Sequence, residues 1–214
     1  MKPMFPSKST SAALMLIVFA GSWINPLWPA EQALHGSLTL VAFCLLWWIE
    51  QKYPFSKKDF FLIALFLSTH SIAARWLYSN TPYDAWCQSL FGFSVSRLFG
   101  WSRNNFDRLV HFMYGACVTP AFVSLFTVRY RQNPKNGFYF AIIAVMVTSL
   151  WYEWFEWLIA MTLPANAAEA YIGQQGDIWD SHKDMLLASL GSFVWAGKYL
   201  VNRKGQNRSG NTPN

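Results

Sequence analysis

Apolar stretches long enough to cross a bilayer recur along the whole chain, and that recurrence leaves very few folds open. Six can be read: Ser11 to Trp28, Ala33 to Ile49, Asp59 to Tyr78, Leu109 to Tyr130, Gly137 to Met161, and Asp184 to Val201. Crossing roughly 30 Å of hydrocarbon takes about 20 such residues, and inside lipid only helices or closed barrels satisfy the backbone. None of the six alternates as a barrel strand does. Leu, Ala, Phe, Ile and Val fill them at every angular position. The expected fold is therefore all-α, a polytopic membrane bundle of about six transmembrane helices forming one domain over residues 1–201. The polar stretch 202–214, rich in Gly, Asn and Arg, reads as a disordered cytoplasmic tail. Composition agrees: 53% of the 214 residues are hydrophobic and only 13% charged, against about 25% charged in soluble domains, which excludes a small soluble enzyme.

The net charge of +6 does not indicate a nucleic-acid partner, because the basic residues sit in short clusters beside the spans. With six crossings and the N-terminus inside, the inner segments hold Lys2, Lys8, Lys52, Lys57, Lys58, Arg129, Arg131, Lys135, Lys198, Arg203, Lys204 and Arg208. The outer side holds Arg75, Arg97, Arg103, Arg108 and Lys183. Twelve against five places both termini in the cytoplasm. The first span can be a retained anchor or a cleaved signal; its apolar run continues past the Val18 and Ala20 spacing through Trp23, Ile24 and Leu27, which favours the anchor. Cys44, Cys87 and Cys117 have no CxxC spacing and read as small apolar residues rather than zinc ligands or a redox pair.

Trp and Tyr gather at span ends, as interface anchors do. The segment Pro82 to Trp101 mixes Trp86, Leu90, Phe91, Phe93, Leu98 and Phe99 with polar residues, so one or two short helices lying on the outer leaflet are expected there. Almost all the acids fall on the same outer side. Asp107 and His111 are spaced i, i+4 where the fourth span begins, with Tyr114 next on that face; such an Asp can hold an imidazole tautomer for a metal or a general base. Glu153 and Glu156, roughly 22 and 27 Å from the inner end at Phe138, share a face of the fifth. Asp180 and Asp184 repeat the i, i+4 spacing at the sixth, preceded by Asp177 and Trp179 in a Gly- and Gln-containing loop, Thr162 to Lys183. Asp180 or Ser181 can also serve as an ordinary helix cap.

An acid within hydrocarbon costs about 2.5 to 3.5 kcal/mol, so Glu153 must face the bundle and find a partner, for which Arg75, Arg103, Arg108 and Lys183 are available. An internal ion-pair network and a functional pocket are the two readings. In the pocket reading His111, Asp107 and Glu153 are catalytic, and His111, Glu153, Glu156, Asp180 and Asp184 hold a divalent cation. Arg103, Tyr114, Asp177 and Trp179 touch substrate. His70, near mid-bilayer, reads as hydrogen-bonded to a neighbouring helix, and His35, four residues after Glu31, as wet at the helix mouth. Ala188, Ser192 and Ala196 form a close-packing seam.

The runs Arg103-Asn104-Asn105-Phe106-Asp107-Arg108-Leu109-Val110-His111-Phe112, Tyr152-Glu153-Trp154-Phe155-Glu156-Trp157 and Gly173-Gln174-Gln175-Gly176-Asp177-Ile178-Trp179-Asp180-Ser181 resemble the YjdF-like family of bacterial inner-membrane proteins, from the third span to the end. The resemblance implies a multi-pass inner-membrane protein of unestablished activity. More loosely, Asp-x-x-x-His at one helix start with Glu and Asp on the next two is similar to VanZ-like proteins linked to glycopeptide tolerance, which would put Asp107, His111, Glu153 or Glu156, and Asp184 in one site. A departure is that Ser71 to Asn80 lacks the Gly- and Tyr-rich stretch expected there, which leaves a place for His70 in that site without support from the resemblance.

Three function classes follow. The first is a membrane-embedded hydrolase or transferase acting on a lipid or lipid-linked headgroup with a bound divalent cation, although no HExxH or GxSxG signature is present. The second is a non-catalytic binding or resistance protein for amphiphiles. The third, an ion-coupled transporter, would need polar residues down to the cytoplasmic side and an internal repeat, and the sequence has neither.

Overall fold

The structure is a computed structural model that describes residues 5–201, so the readings of Lys2 and of residues 202–214 lie outside it. Among the described residues every regular element is a helix. Local chemistry sets the boundaries. Helix α1 (Lys8–Ser22) begins where Ser7 accepts the Thr10 N–H at 3.0 Å and stops six residues short of Trp28. There Trp23 and Ile24 turn back onto the Ala20 and Gly21 carbonyls, and Pro26 cannot continue a helix. Helix α2 (Pro29–Lys52) carries proline at its first position, where the missing N–H costs nothing. Helix α3 (Lys57–Arg75) is capped by Ser56 on the Asp59 N–H. It ends at Arg75 because Leu77 and Tyr78 take positive φ (46° and 54°) and fold the chain back.

Two short helices follow, α4 (Tyr83–Phe91) and α5 (Val95–Phe99), each closed by a left-handed glycine, Gly92 and Gly100. Helices α6 (Phe106–Arg129) and α7 (Pro134–Thr162) come next. The segment Thr162 to Lys183, which reads as a loop, contains an eight-residue helix, α8 (Ala165–Ile172). The last span is broken into α9 (Asp180–Phe193) and α10 (Ala196–Leu200). The break is tied to Pro120 inside α6: proline has no N–H to give the Ala116 carbonyl, and the Trp195 indole donates to that carbonyl instead at 2.7 Å.

Helices α2, α6 and α7 are long and apolar enough to cross a membrane, with α1 a shorter apolar helix. Large apolar side chains sheathe the outside, among them Ile17, Trp47, Ile143 and Met161, as a hydrocarbon solvent permits. Helix α6 is the central element, packed against α3, α7 and α9, while α1 and α2 lie on α3. Met15, Leu46, Phe60, Ala64, Leu67 and Ala121 join α1, α2, α3 and α6 in one core. The tightest contact is α6 against α9. A methyl group on Gly115 would overlap the Ala188 carbonyl oxygen, and one on Gly191 would overlap the Phe112 carbonyl oxygen. Bare backbones therefore touch, the close approach that small residues allow. Ala188 and Ser192 lie in this seam as expected, Ser192 accepting from Thr119 at 2.8 Å, whereas Ala196 lies beyond the break and packs near Val123 and Phe138.

Candidate functional site

Both sides of the Gly115 contact lie about one helical turn from an ionisable residue: Gly115 follows His111, and Ala188 follows Asp184. Backbone apposition thus carries the starts of α6 and α9 together, and α7 supplies Glu153 from the side. Asp107, Glu153, Asp180 and Asp184 are all buried.

The cluster has two unlike halves. In the outer half Arg103 bonds Asp107 and Asp180, the latter at 2.5 Å, and reaches Asp177 at 3.4 Å. Arg108 bonds Asp177 and lies 3.6 Å from Asp180, and Lys183 bonds Asp177 at 2.6 Å. The Arg103 guanidinium also donates to the Gln174 carbonyl at 3.3 Å, while the Gln175 amide oxygen accepts the Asn104 N–H at 3.0 Å. The Gly- and Gln-containing loop is fastened to the start of α6 in this way. Burial alone would lower the Arg103 pKa, but Asp107 and Asp180 outweigh it and raise it. The Asp177 carboxyl is drawn down to about 2, first by the Lys183 hydrogen bond and then by the Trp179 N–H and Arg108.

The inner half is His111, Glu153 and Asp184. One ligand atom from each falls within 4.8 Å of the others, and His111 Nε2 is 4.0 Å from Glu153 Oε1. Neither acid has a Lys or Arg partner among the described residues. Glu153 Oε1 and Asp184 Oδ1 are buried without any hydrogen bond. A second trio, Asp107, Asp180 and Asp184, also converges within 4.8 Å, but Arg103 already neutralises two of its members. Only the inner trio offers imidazole and carboxylate donors with free lone pairs, a mixed set that suits Zn or Mn better than Ca.

Several readings of the spacing need correction. Asp107 does not hold the His111 ring; its carboxylate takes Arg103 and the Arg108 N–H, and Glu153 is the acid nearest that imidazole. None of Arg75, Arg103, Arg108 and Lys183 pairs with Glu153, and Arg75 instead donates to the carbonyls of Ser22, Ile24 and Asn25. Asp180 is not a cap: Trp179 occupies that position, and Asp180 turns to Arg103. His35 is not wet; it is fully buried and stacked on Tyr171 at 4.3 Å. Glu156 belongs to neither converging trio. Trp179 is 57% exposed, edge-on to His182, and Tyr114 bonds Thr148 at 2.5 Å away from the acids. His70, expected to bond a neighbouring helix, bonds Tyr78 from the turn just after its own helix α3, at 2.5 Å. All three cysteines are free.

A sheath of exposed apolar side chains around buried acids defines a helical membrane protein with a polar centre at one end. The chain belongs to the family described as Predicted membrane protein (DUF2238), which matches residues 8–204. It is similar to the inner membrane protein YjdF of Escherichia coli (strain K12), with 25% identity over 204 residues that cover 91% of this chain and 88% of that one. No solved structure matches it.

Proposed function

We propose that this protein is a multi-pass protein of the bacterial inner membrane whose His111, Glu153 and Asp184 hold a divalent cation at the periplasmic face and act there on a lipid or lipid-linked headgroup. Six crossings, both termini in the cytoplasm, and α4 and α5 on the outer leaflet complete this reading. The charge bias supports the orientation, and the similarity to YjdF supports the membrane.

One observation carries the site: two carboxylates are buried beside each other and beside an imidazole, and among the described residues no Lys or Arg is ion-paired to either. Buried charge left unpaired is strongly unfavourable, and a cation removes the penalty for both acids at once. Bound there, it would lower the pKa of a coordinated water and polarise an ester or phosphoester oxygen. Hydrolysis of such a bond would deliver a water hydroxyl to carbon or phosphorus and its proton to the leaving oxygen, and His111, Glu153 and Asp184 are the residues that would hold the ion for it. The Arg103 half is the scaffold, because its acids are already satisfied.

Metal analysis of the detergent-purified protein after equilibration with Zn, Mn or Mg, alongside thermal unfolding, tests the proposal. Wild type should retain one of these ions. Glu153→Gln and Asp184→Asn keep shape while removing charge, so both should lose the ion yet fold as well as metal-free wild type. Equal ion retention in all three proteins, or a Glu153→Gln variant that unfolds and is rescued by neutralising Arg103 or Arg108, would leave only a structural network.

A further inference from the structure

His111 has a second neighbour that the cation centre does not use. A cavity of about 600 Å3 lies between α2, α3, α6 and α7, lined by Leu38, Ala42, Leu67, Val110 and Phe155 among others, with His111 in its wall. Val41 and Leu45 on α2 and Trp151 on α7 also line it, and each is more than half exposed. The mouth therefore opens sideways, where a membrane helix meets hydrocarbon, and not toward water. Ser149 is 2% exposed and its hydroxyl has no hydrogen-bond partner, although it too lines the cavity. It is one turn, about 6 Å, deeper than Glu153.

The geometry points to a phosphate-bearing membrane lipid as the occupant: one acyl chain in this cavity, its linkage oxygen at Ser149, and its phosphate at the His111, Glu153 and Asp184 centre. This rests on the proposed cation site and names the substrate class. Three features select that chemistry. At about 30 Å3 for a water-sized group, and a methylene is of similar size, the cavity holds about twenty such groups, the bulk of one acyl chain. The unpaired hydroxyl donor sits deeper than the carboxylates, the order in which an ester linkage lies deeper than a phosphate. Finally, a cation held by three protein ligands keeps an open position that a phosphate oxygen can take, with Arg103 and Arg108 in the adjoining ion-pair network. A free phosphate would use the last feature and leave the cavity without purpose, whereas a neutral hydrocarbon would use only the first.

Photolabelling separates these cases. The full-length protein is reconstituted in phosphatidylglycerol vesicles doped with phosphatidylglycerol carrying a diazirine along one acyl chain, and cross-links are mapped by mass spectrometry. Cross-links should concentrate on Leu38, Ala42 and Leu67. Val41→Trp, at the exposed rim, and Ala42→Trp, within the wall, should each lower that labelling by at least about tenfold while leaving the bound ion in place. Glu153→Gln should lose the ion and with it the preference for phosphatidylglycerol over a long-chain alkane, while the residual labelling still falls on Leu38, Ala42 and Leu67, so failure of the cation site and failure of the lipid site give different results. Labelling spread evenly over outward residues such as Ile17 and Ile143, or unchanged in Val41→Trp, would overturn the lipid assignment. Competition by a long-chain alkane equal to that by phosphatidylglycerol would overturn the phosphate requirement.

Discussion

Replacing Gly115 with alanine tests whether backbone contact between α6 and α9 sets the site. The added methyl overlaps the Ala188 carbonyl oxygen and sits 2.9 Å from the Ala188 carbonyl carbon and from the Ser192 nitrogen, where ordinary contact begins at 3.4 Å. All three atoms are helix backbone and cannot rotate away, so α9 must retreat by about 1 to 2 Å in a close-packed interior. Overpacking of this kind costs about 1 to 3 kcal/mol, and the better helix propensity of alanine returns about 1 kcal/mol. The net loss of up to about 2 kcal/mol lowers the unfolding midpoint by a few degrees, at about 2 to 4 °C per kcal/mol for a chain of this size. The site suffers more than the fold. Ligands about 2 Å from an ion tolerate misplacement of about 0.5 Å, and the retreat carries Asp184 well beyond that. Metal titration and thermal unfolding in detergent should therefore show a large loss of ion affinity with a modest loss of stability. Gly21→Ala, where nothing lies within 4 Å of the added methyl, should match or exceed wild type in both. A Gly115→Ala protein with wild-type midpoint and ion content would refute the reasoning.

Asp177 supplies a pH test. Its folded pKa of about 2 lies below the ordinary value of about 3.9, so its contribution to stability is present above pH of about 4 and disappears as the pH falls toward 2. Lys183→Met removes the largest cause, and unfolding midpoints measured across that window should flatten; an unchanged slope would reject Lys183 as the cause. Reporter fusions after Tyr130 and Asn214 should read cytoplasmic and one within Pro164 to Tyr171 periplasmic, while a periplasmic C-terminus would sink the six-crossing arrangement.

The helical class and the gathering of acids at one end were legible because both are one-dimensional signals: runs of apolar residues, and charges at i, i+3 or i+4. Partnership was not. The spacing of Asp107 and His111 suggested a pair, yet Arg103, from the loop before α6, takes the aspartate, and Glu153 arrives from another helix. His35 misled for the same reason, since the ring that buries it, Tyr171, is distant in sequence and belongs to a short helix hidden in a polar loop. The α6 and α9 seam was half visible in Ala188 and Ser192; the glycines that close it carry no periodic signal of their own. Pro120 left a trace that could have been followed, because a proline within a span frees a carbonyl that some donor must find.

Helix α2 is fastened at both ends and, between them, packed along one face, where Thr39 and Leu46 are buried. At one end Gln32 donates to the Ser22 carbonyl, at 2.9 Å. At the other, Glu50 pairs with Lys8 and accepts the Phe55 N–H at 2.9 Å. The intervening stretch has exposed Leu40, Val41 and Leu45 and spans the cavity beside α7. Between its fastened ends the helix packs chiefly on α3, so it walls the cavity while α6, α7 and α9 pack on one another. The side chains that rim the cavity, Val41 and Leu45, thus belong to a different helix from those that carry His111, Glu153 and Asp184, so the width of its mouth and the geometry of the charged centre are set by separate pieces of the chain.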